Sequence, residues 1–273
     1  MPELPEVETT IKGLYEIKHL KIHKVFINTK QLRFKIPSTI KKKLLNSKIS
    51  NIKRIAKYIV LDLDNNFSLI IHLGMSGRLK LFKKKDFNGE KHDHFQLNLS
   101  NGKIIIYNDP RKFGFIDIVE SSNLKNKKYI LSLGLDALSN KLHPTHLLNK
   151  ISKSDVPIKQ ILLNQKIISG IGNIYASEIL FDAKISPLIA GRKLKISHIM
   201  LLILSIRKIL RKAIKFGGSS IRDYRSADGT LGNFQKNFKV YNKEGKKIGK
   251  YTILKIVQYG RSTFYCPGIQ KIK

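Results

Sequence analysis

The chain has 273 residues, with 52 lysines and arginines against 19 acids, a formal net charge of +33, and a single cysteine. Its 42 % apolar content is enough for a core and excludes a disordered chain, while the length suits one large or two modest domains. One cysteine excludes an internal disulfide and any site needing several thiolates, and the charge demands a polyanionic partner.

The N-terminal stretch MPELPEVETT carries Glu3, Glu6 and Glu8 and no base, unlike a signal or transit peptide. Pro5 suits a first helical turn, and Val7, Ile11 and Leu14 then recur at helical spacing. Short β-like runs at Tyr58–Leu63, Ser68–His72, Phe95–Leu99, Lys103–Tyr107 and Phe115–Val119 are separated by turn signals such as Asp64-Asn65-Asn66 and Asn101-Gly102. They predict an antiparallel β domain to about residue 135. Helices are expected at Leu124–Leu131, Pro144–Ile151, Ile158–Leu163, Asn173–Phe181 and Ser197–Phe216, the last capped by Ser197 and stopped by Gly217-Gly218. The tail returns to β character at Lys239–Tyr241, Tyr251–Ile256 and Ser262–Tyr265. No apolar run, Ile199–Leu204 included, approaches the roughly 20 residues a membrane span needs.

Charge clusters along the chain. From Lys18 to Lys57 there are 13 Lys and Arg and no acid; from Gly191 to Arg222 there are nine and none; from Phe238 to Lys273 there are nine against Glu244 alone. Three separate basic stretches suit a nucleic-acid groove lined from several parts of the fold, although each alone also suits a solvated face.

Pro2 follows the initiator Met, and removal of Met1 would leave it with a free secondary amine. An α-amino group has a pKa near 8, so part of it is neutral and nucleophilic at physiological pH. Such an amine attacking a sugar C1′ yields an iminium ion, and the neighbouring Glu3 could shuttle protons. The same residues also suit a plain helix start, with acids favoured by its dipole. His92-Asp93-His94 points two imidazoles to one face of a strand, which leaves open a metal site or a structural pair.

MPELPEVET at 1–9, AKY at 56–58, HLGMSGRL at 72–79, KHDH at 91–94, NDPRKFG at 108–114, SGIGNIYASEILF at 169–181 and GRSTFYC at 260–266 together resemble the bacterial formamidopyrimidine-DNA glycosylases, which excise 8-oxoguanine. The resemblance runs in order along nearly the whole chain, and the MPELPEVET start favours this branch over the endonuclease VIII-like enzymes that prefer oxidised pyrimidines.

The resemblance implies an α+β fold in three parts: a catalytic β-sandwich with helices at 1–135, a helix–two-turn–helix region at 136–237 with a lesion-capping loop at 217–235, and a β-hairpin at 238–273. Pro2 would be the Schiff-base nucleophile, Glu3 the proton shuttle, Lys57 a cation near both nucleophile and phosphate, and Arg261 the hairpin arginine of δ-elimination. Met75, Arg111 and Phe113 would fill the void left by a flipped base, with Arg111 on the orphaned cytosine. Lys112 stands where many relatives have arginine. His92, Lys153, Lys159, Asn173 and Tyr241 would contact DNA, and Glu178, Ser219, Ser220, Arg222 and Tyr224 would line the lesion pocket.

Relatives fold the C-terminal module around zinc with two Cys-x2-Cys pairs. Here Ile248, Tyr251, Cys266 and Ile269 occupy those positions, so the expectation is a zincless hairpin closed by an apolar cluster, with no cofactor. The expected enzyme is a cytoplasmic, nucleoid-associated monomer acting on double-stranded DNA with oxidised purines or abasic sites. An oxidised-pyrimidine glycosylase and a non-catalytic DNA binder are the alternatives.

Overall fold

The structure, a computed structural model, describes residues 2–219 and 232–271. The chain divides into two compact units, one formed by Met1–Leu131 with Phe216–Gln235 and the other by Ser132–Lys215 with Lys236–Lys273. The 216–235 segment thus groups with the N-terminal part, and the C-terminal hairpin groups with the helices.

The first unit opens with α1 (Leu4–Leu14), in which Pro5 occupies the first turn and Val7, Ile11 and Leu14 are fully or almost fully buried. Eight strands follow: β1 (Ile22–Ile27), β2 (Ile49–Ile55), β3 (Tyr58–Leu63), β4 (Phe67–His72), β5 (Arg78–Lys83), β6 (Asp93–Leu99), β7 (Lys103–Asn108) and β8 (Phe115–Glu120), with the short α2 (Ile40–Leu44) between β1 and β2. They form two four-stranded antiparallel sheets, ordered β1-β6-β7-β5 and β2-β3-β4-β8.

The two-residue period of a strand explains how the sheets pack. On β3 and β4, Ile59, Leu61, Leu69 and Ile71 face the core shared with the other sheet and α1. Their neighbours Val60 and Ile70 face a second cluster with Val119 and Leu124. Both faces of these central strands are therefore apolar, which is why they read as continuous hydrophobic runs. The predicted helix at Leu124–Leu131 resolves into a 3-10 segment at Ser121–Asn126 and the single turn α3 (Lys128–Leu131).

The second unit contains β9 (Leu135–Asp136), α4 (Pro144–Ile151), α5 (Ile158–Leu163), β10 (Ile168–Ser169), α6 (Asn173–Asp182), α7 (Ile196–Lys215), β11 (Lys247–Ile248), β12 (Tyr251–Thr252), β13 (Leu254–Gln258) and β14 (Arg261–Tyr265). α6 is buried along Ile174–Leu180, packed against α5, α7 and β14. α7 begins at Ile196, so Ser197 lies inside its first turn and does not cap it; the Lys195 N–H instead meets His198 Nδ1 at 3.2 Å. Gly217 and Gly218, both with φ of 74°, follow its end as expected. Lys239–Tyr241 is not a strand, because its N–H groups go to a side chain described below. The predicted strand at Tyr251–Ile256 breaks at Ile253, which turns into the core while its N–H goes to the Lys246 carbonyl.

Among the described residues, no helix is long and apolar enough to cross a membrane.

Candidate functional site

Pro2 and Glu3 are buried where α1 begins. Glu3 and Glu6 form a capping box: the Glu3 carboxylate accepts the Glu6 N–H, and the Glu3 N–H donates to Glu6 Oε2 at 2.9 Å. The N–H groups and dipole at a helix start favour a carboxylate there, which is the local reason a buried Glu3 is tolerated. Glu6 does more than cap. Its Oε1 accepts the Ser219 N–H at 2.8 Å and the Ser219 hydroxyl at 3.1 Å, joining the N-terminus to the segment after α7. Gly218 makes this approach possible, since a Cβ there would come within 2.9 Å of Glu6 Oε1. Ser219 is thus placed on the N-terminal helix; Ser220, Arg222 and Tyr224 lie outside the described residues.

Lys57 is almost fully buried, in the tight turn between β2 and β3. Ala56 before it adopts a left-handed φ of 51°, and Arg54 steadies the turn by donating to the Ala56 carbonyl at 3.0 Å and to Glu8 at 2.7 Å. His72, at the end of β4, was not singled out in the sequence. Its ring sits among Tyr58 and Phe115 at centroid distances of 5.0 and 5.5 Å, and its Nδ1 accepts the Gly74 N–H at 3.1 Å. Burial first, then the charges of Lys57 and Arg33, lower its pKa to about 4. At neutral pH it is a neutral imidazole with its proton on Nε2. The signal in the sequence was its place at the end of an apolar strand, two residues before a glycine.

Met75, Arg111 and Phe113 come together on two loops of this unit. Met75 is 44 % exposed and Phe113 45 % exposed, and the Arg111 guanidinium lies 4.7 Å from the Phe113 ring centroid. Beneath them lies a buried polar base. Asp109 Oδ1 accepts the Ser76 hydroxyl at 2.6 Å, and Oδ2 accepts the Gly114 N–H at 2.9 Å and the Tyr107 hydroxyl at 3.1 Å. Ser76 Oγ in turn accepts the Arg111 N–H at 3.2 Å. His92 is half-buried, 6.3 Å from the His94 ring; His94 is buried, with Nε2 on the Asp109 carbonyl at 3.0 Å. Among the described residues no group of three or more His, Cys, Asp or Glu could hold a metal ion.

In the second unit, Gly170-Ile171-Gly172 turns the chain into α6, with Gly170 at φ 102° and Gly172 at the cap. Gln165, another residue not foreseen, clamps this turn: its Oε1 accepts the Gly170 N–H and its Nε2 donates to the Ile171 carbonyl, both at 2.8 Å. Asn173, the first residue of α6, donates to the Ser262 carbonyl at 3.0 Å, while its buried Oδ1 has no hydrogen-bond partner among the described residues.

Two of the residues given roles above are buried here. Lys159 is fully buried, and its Nζ donates to the Ser262 carbonyl at 2.9 Å and the Thr263 hydroxyl at 2.6 Å. Through these bonds it holds β14. Glu178 is 2 % exposed, and its carboxylate accepts the N–H groups of Lys239, Val240 and Tyr241 at 2.7, 2.9 and 2.8 Å. Its oxygens are engaged by the chain entering the hairpin. Burial pushes its carboxyl above the usual range, and the three N–H groups and Lys243 pull it back.

β13 and β14 form the hairpin, with Tyr259 and Gly260 in left-handed conformations at its tip and Arg261 exposed beside them. Tyr241 packs edge-on against Phe238 and Phe264, and Lys153 is exposed after α4. Ile248, Tyr251, Cys266 and Ile269 all belong to one cluster with Val240, Ile253 and Phe264.

The elements offer a buried carboxylate beside Pro2, cations at separate loops, an exposed apolar pair on a hydrogen-bonded base and a glycine turn at a helix start. Comparisons agree with these features. The model of the formamidopyrimidine-DNA glycosylase N-terminal domain matches residues 1–116, and that of the formamidopyrimidine-DNA glycosylase H2TH domain matches residues 133–225. A formamidopyrimidine-DNA glycosylase of Zymomonas mobilis is 45 % identical over 273 residues, covering 99 % of this chain and 100 % of that protein. The Lactococcus lactis Fpg in complex with DNA containing an abasic site superposes with a TM-score of 0.91 at 36 % identity, covering 99 % of this chain and 100 % of that one. The same Lactococcus lactis protein in complex with DNA containing an oxidised pyrimidine gives 0.90 at 35 %, with the same coverage.

Proposed function

The chain belongs to the formamidopyrimidine-DNA glycosylase family, and from that membership we infer that it is a bifunctional DNA glycosylase and abasic-site lyase that removes oxidised purines from duplex DNA. The observation that carries the chemistry is the start of α1, which leaves Pro2 and Glu3 buried at its cap.

In this reading, removal of Met1 frees the Pro2 amine. The nitrogen attacks C1′ of the damaged nucleoside, the base leaves with the glycosidic electron pair, and the sugar ring opens to an iminium ion. Glu3 delivers and accepts the protons of ring opening. The iminium acidifies C2′–H; loss of that proton expels the 3′ phosphate, and a second elimination, assisted by Arg261, expels the 5′ phosphate. Lys57 holds the phosphate near the nucleophile, and neutral His72 offers its Nε2–H beside it. Met75 and Phe113 fill the stack while Arg111 reads the orphaned cytosine, offsetting an unstacking cost of a few kcal/mol. His92, Lys153, Asn173 and Tyr241 hold the backbone, contacts that position DNA without reading sequence. Ser219, Ser220, Arg222 and Tyr224 cover the lesion. The parts would be a catalytic domain at 1–135, a DNA-binding domain at 136–237 and a hairpin at 238–273, working as a monomer in the bacterial cytoplasm.

The residues at the family's zinc positions do not fit the metal. Ile248, Tyr251 and Ile269 have no ligand atom suited to a tetrahedral thiolate site, and Cys266 sits buried among hydrocarbons. The apolar cluster takes over the closure of the hairpin, and no step passes through a metal.

The test is base release and strand cleavage on duplexes bearing 8-oxoguanine opposite cytosine, thymine glycol, or no damage. Preferred cleavage at 8-oxoguanine with phosphate at both new ends is expected. Preference for thymine glycol would favour the sister branch, and binding without cleavage would contradict the enzyme.

A further inference from the structure

The loops that carry Met75 and Phe113 are joined by hydrogen bonds between residues 33 and 35 apart in sequence, and they share one buried anchor. We propose that Asp109 is a positioning residue that locks the Met75 turn and the Arg111–Phe113 loop into a single wedge, so that opening the duplex depends on its carboxylate; this rests on the function read above.

The anchor is built from both sides. Asp109 is fully buried. Its side chain takes the Ser76 hydroxyl from the Met75 turn, the Gly114 N–H from the far end of the Phe113 loop, and the Tyr107 hydroxyl from β7. Its main chain closes the loop on itself: the carbonyl accepts the Lys112 N–H at 3.2 Å and the His94 ring at 3.0 Å, and its N–H donates to the His92 carbonyl at 3.1 Å. Ser76 links the two loops a second time by accepting the Arg111 N–H. Backbone contact completes the joint. Cβ atoms on Gly74 and Gly114 would overlap the Phe113–Gly114 backbone and the His72 carbonyl respectively, so the two loops touch main chain to main chain.

A wedge works only if the groups entering the stack do not yield. Exposed side chains such as Met75 and Phe113 gain that stiffness from what lies under them, and a fully satisfied buried network is the stiffest base available. Asp109 touches neither reacting atom nor base, so its effect should fall on duplex opening and not on the elimination chemistry.

The experiment compares wild type with Asp109→Ala and Ser76→Ala on two substrates, an 8-oxoguanine:cytosine duplex and a single-stranded oligonucleotide with a preformed abasic site, which needs no wedge. Ser76→Ala removes one link and spares the carboxylate, which keeps the test open if Asp109→Ala fails to fold. Displacement of wedge groups predicts a loss on the order of 10- to 100-fold in kcat/KM on the duplex, smaller for Ser76→Ala, with single-strand cleavage within about twofold. Discrimination between cytosine and adenine opposite the lesion should also weaken, because Arg111 loses its fixed seat. Equal losses on both substrates, or none on the duplex, would overturn the proposal. Failure of the underlying function reads differently: the wild-type chain itself would be inactive on both substrates.

Discussion

Glu178→Gln tests whether a single buried carboxylate organises the entry to the hairpin. In the native chain Oε1 accepts from Val240 and Tyr241, and Oε2 accepts from Lys239 at 2.7 Å. Glutamine keeps the first two bonds with a neutral oxygen, but sets an NH2 against the Lys239 N–H. One charge-assisted bond is lost, a buried donor is left facing a donor, and two other bonds weaken; at about 1.5–3 kcal/mol for a hydrogen bond to a charged group, the change costs about 3 kcal/mol. The assay is hydrogen exchange resolved at the amides of residues 239–241. At 1.4 kcal/mol per factor of ten, their exchange should quicken by about 100-fold, with the strands of the other unit unaffected. Unchanged protection at all three amides would refute the reasoning.

Other substitutions read other parts of the structure. Gly114→Ala places a methyl against the Tyr107 hydroxyl and the His72 carbonyl and should cost about 1–3 kcal/mol in urea unfolding; Tyr107→Phe in the same chain should restore only part, since the carbonyl clash remains. His72, with its folded pKa lowered to about 4, binds a proton in the unfolded chain first, so it draws stability down as pH falls from about 6.5 towards 4. Wild type should therefore lose about 2 kcal/mol relative to His72→Gln between pH 7 and pH 5, and parallel pH profiles would contradict the shift. Lys159→Met should loosen β14, seen as faster exchange of its amides by roughly tenfold or more. Purified protein should carry no stoichiometric zinc and keep its melting temperature in chelator; one zinc per chain would contradict the apolar closure of the hairpin.

How far the fold could be read from the sequence depended on what each strand faces. β3, β4, β6, β7 and β8 carry enough apolar residues to stand out. β1, β2 and β5 did not: all three are sheet edges with polar residues along them, whereas β8, the fourth edge, buries four of its six residues. Residues such as His23, Lys24, Asn51, Lys53 and Lys80 interrupt their period, as polar residues on edge strands commonly do. Helices α4, α5 and α6 were legible from period and breakers alone. Val240 and Tyr241 look like strand residues by propensity, but a carboxylate 62 residues away took their N–H groups before any strand could. The proposed site residues split the same way. Pro2, Glu3, Met75, Arg111, Phe113 and Arg261 sit in short motifs that carry their own context. Lys159, Glu178, Gln165 and Asp109 act through partners distant in the chain or hidden under a loop, and spacing cannot reveal those.

The reaction read from the N-terminus is tested most directly by borohydride trapping. Protein shown by mass to lack Met1 is mixed with an 8-oxoguanine duplex and reduced, and the adduct is digested and sequenced. A covalent link on the nitrogen of Pro2, absent from Pro2→Gly, is expected; tight binding with no adduct, or an adduct on a lysine that survives Pro2→Gly, would contradict it.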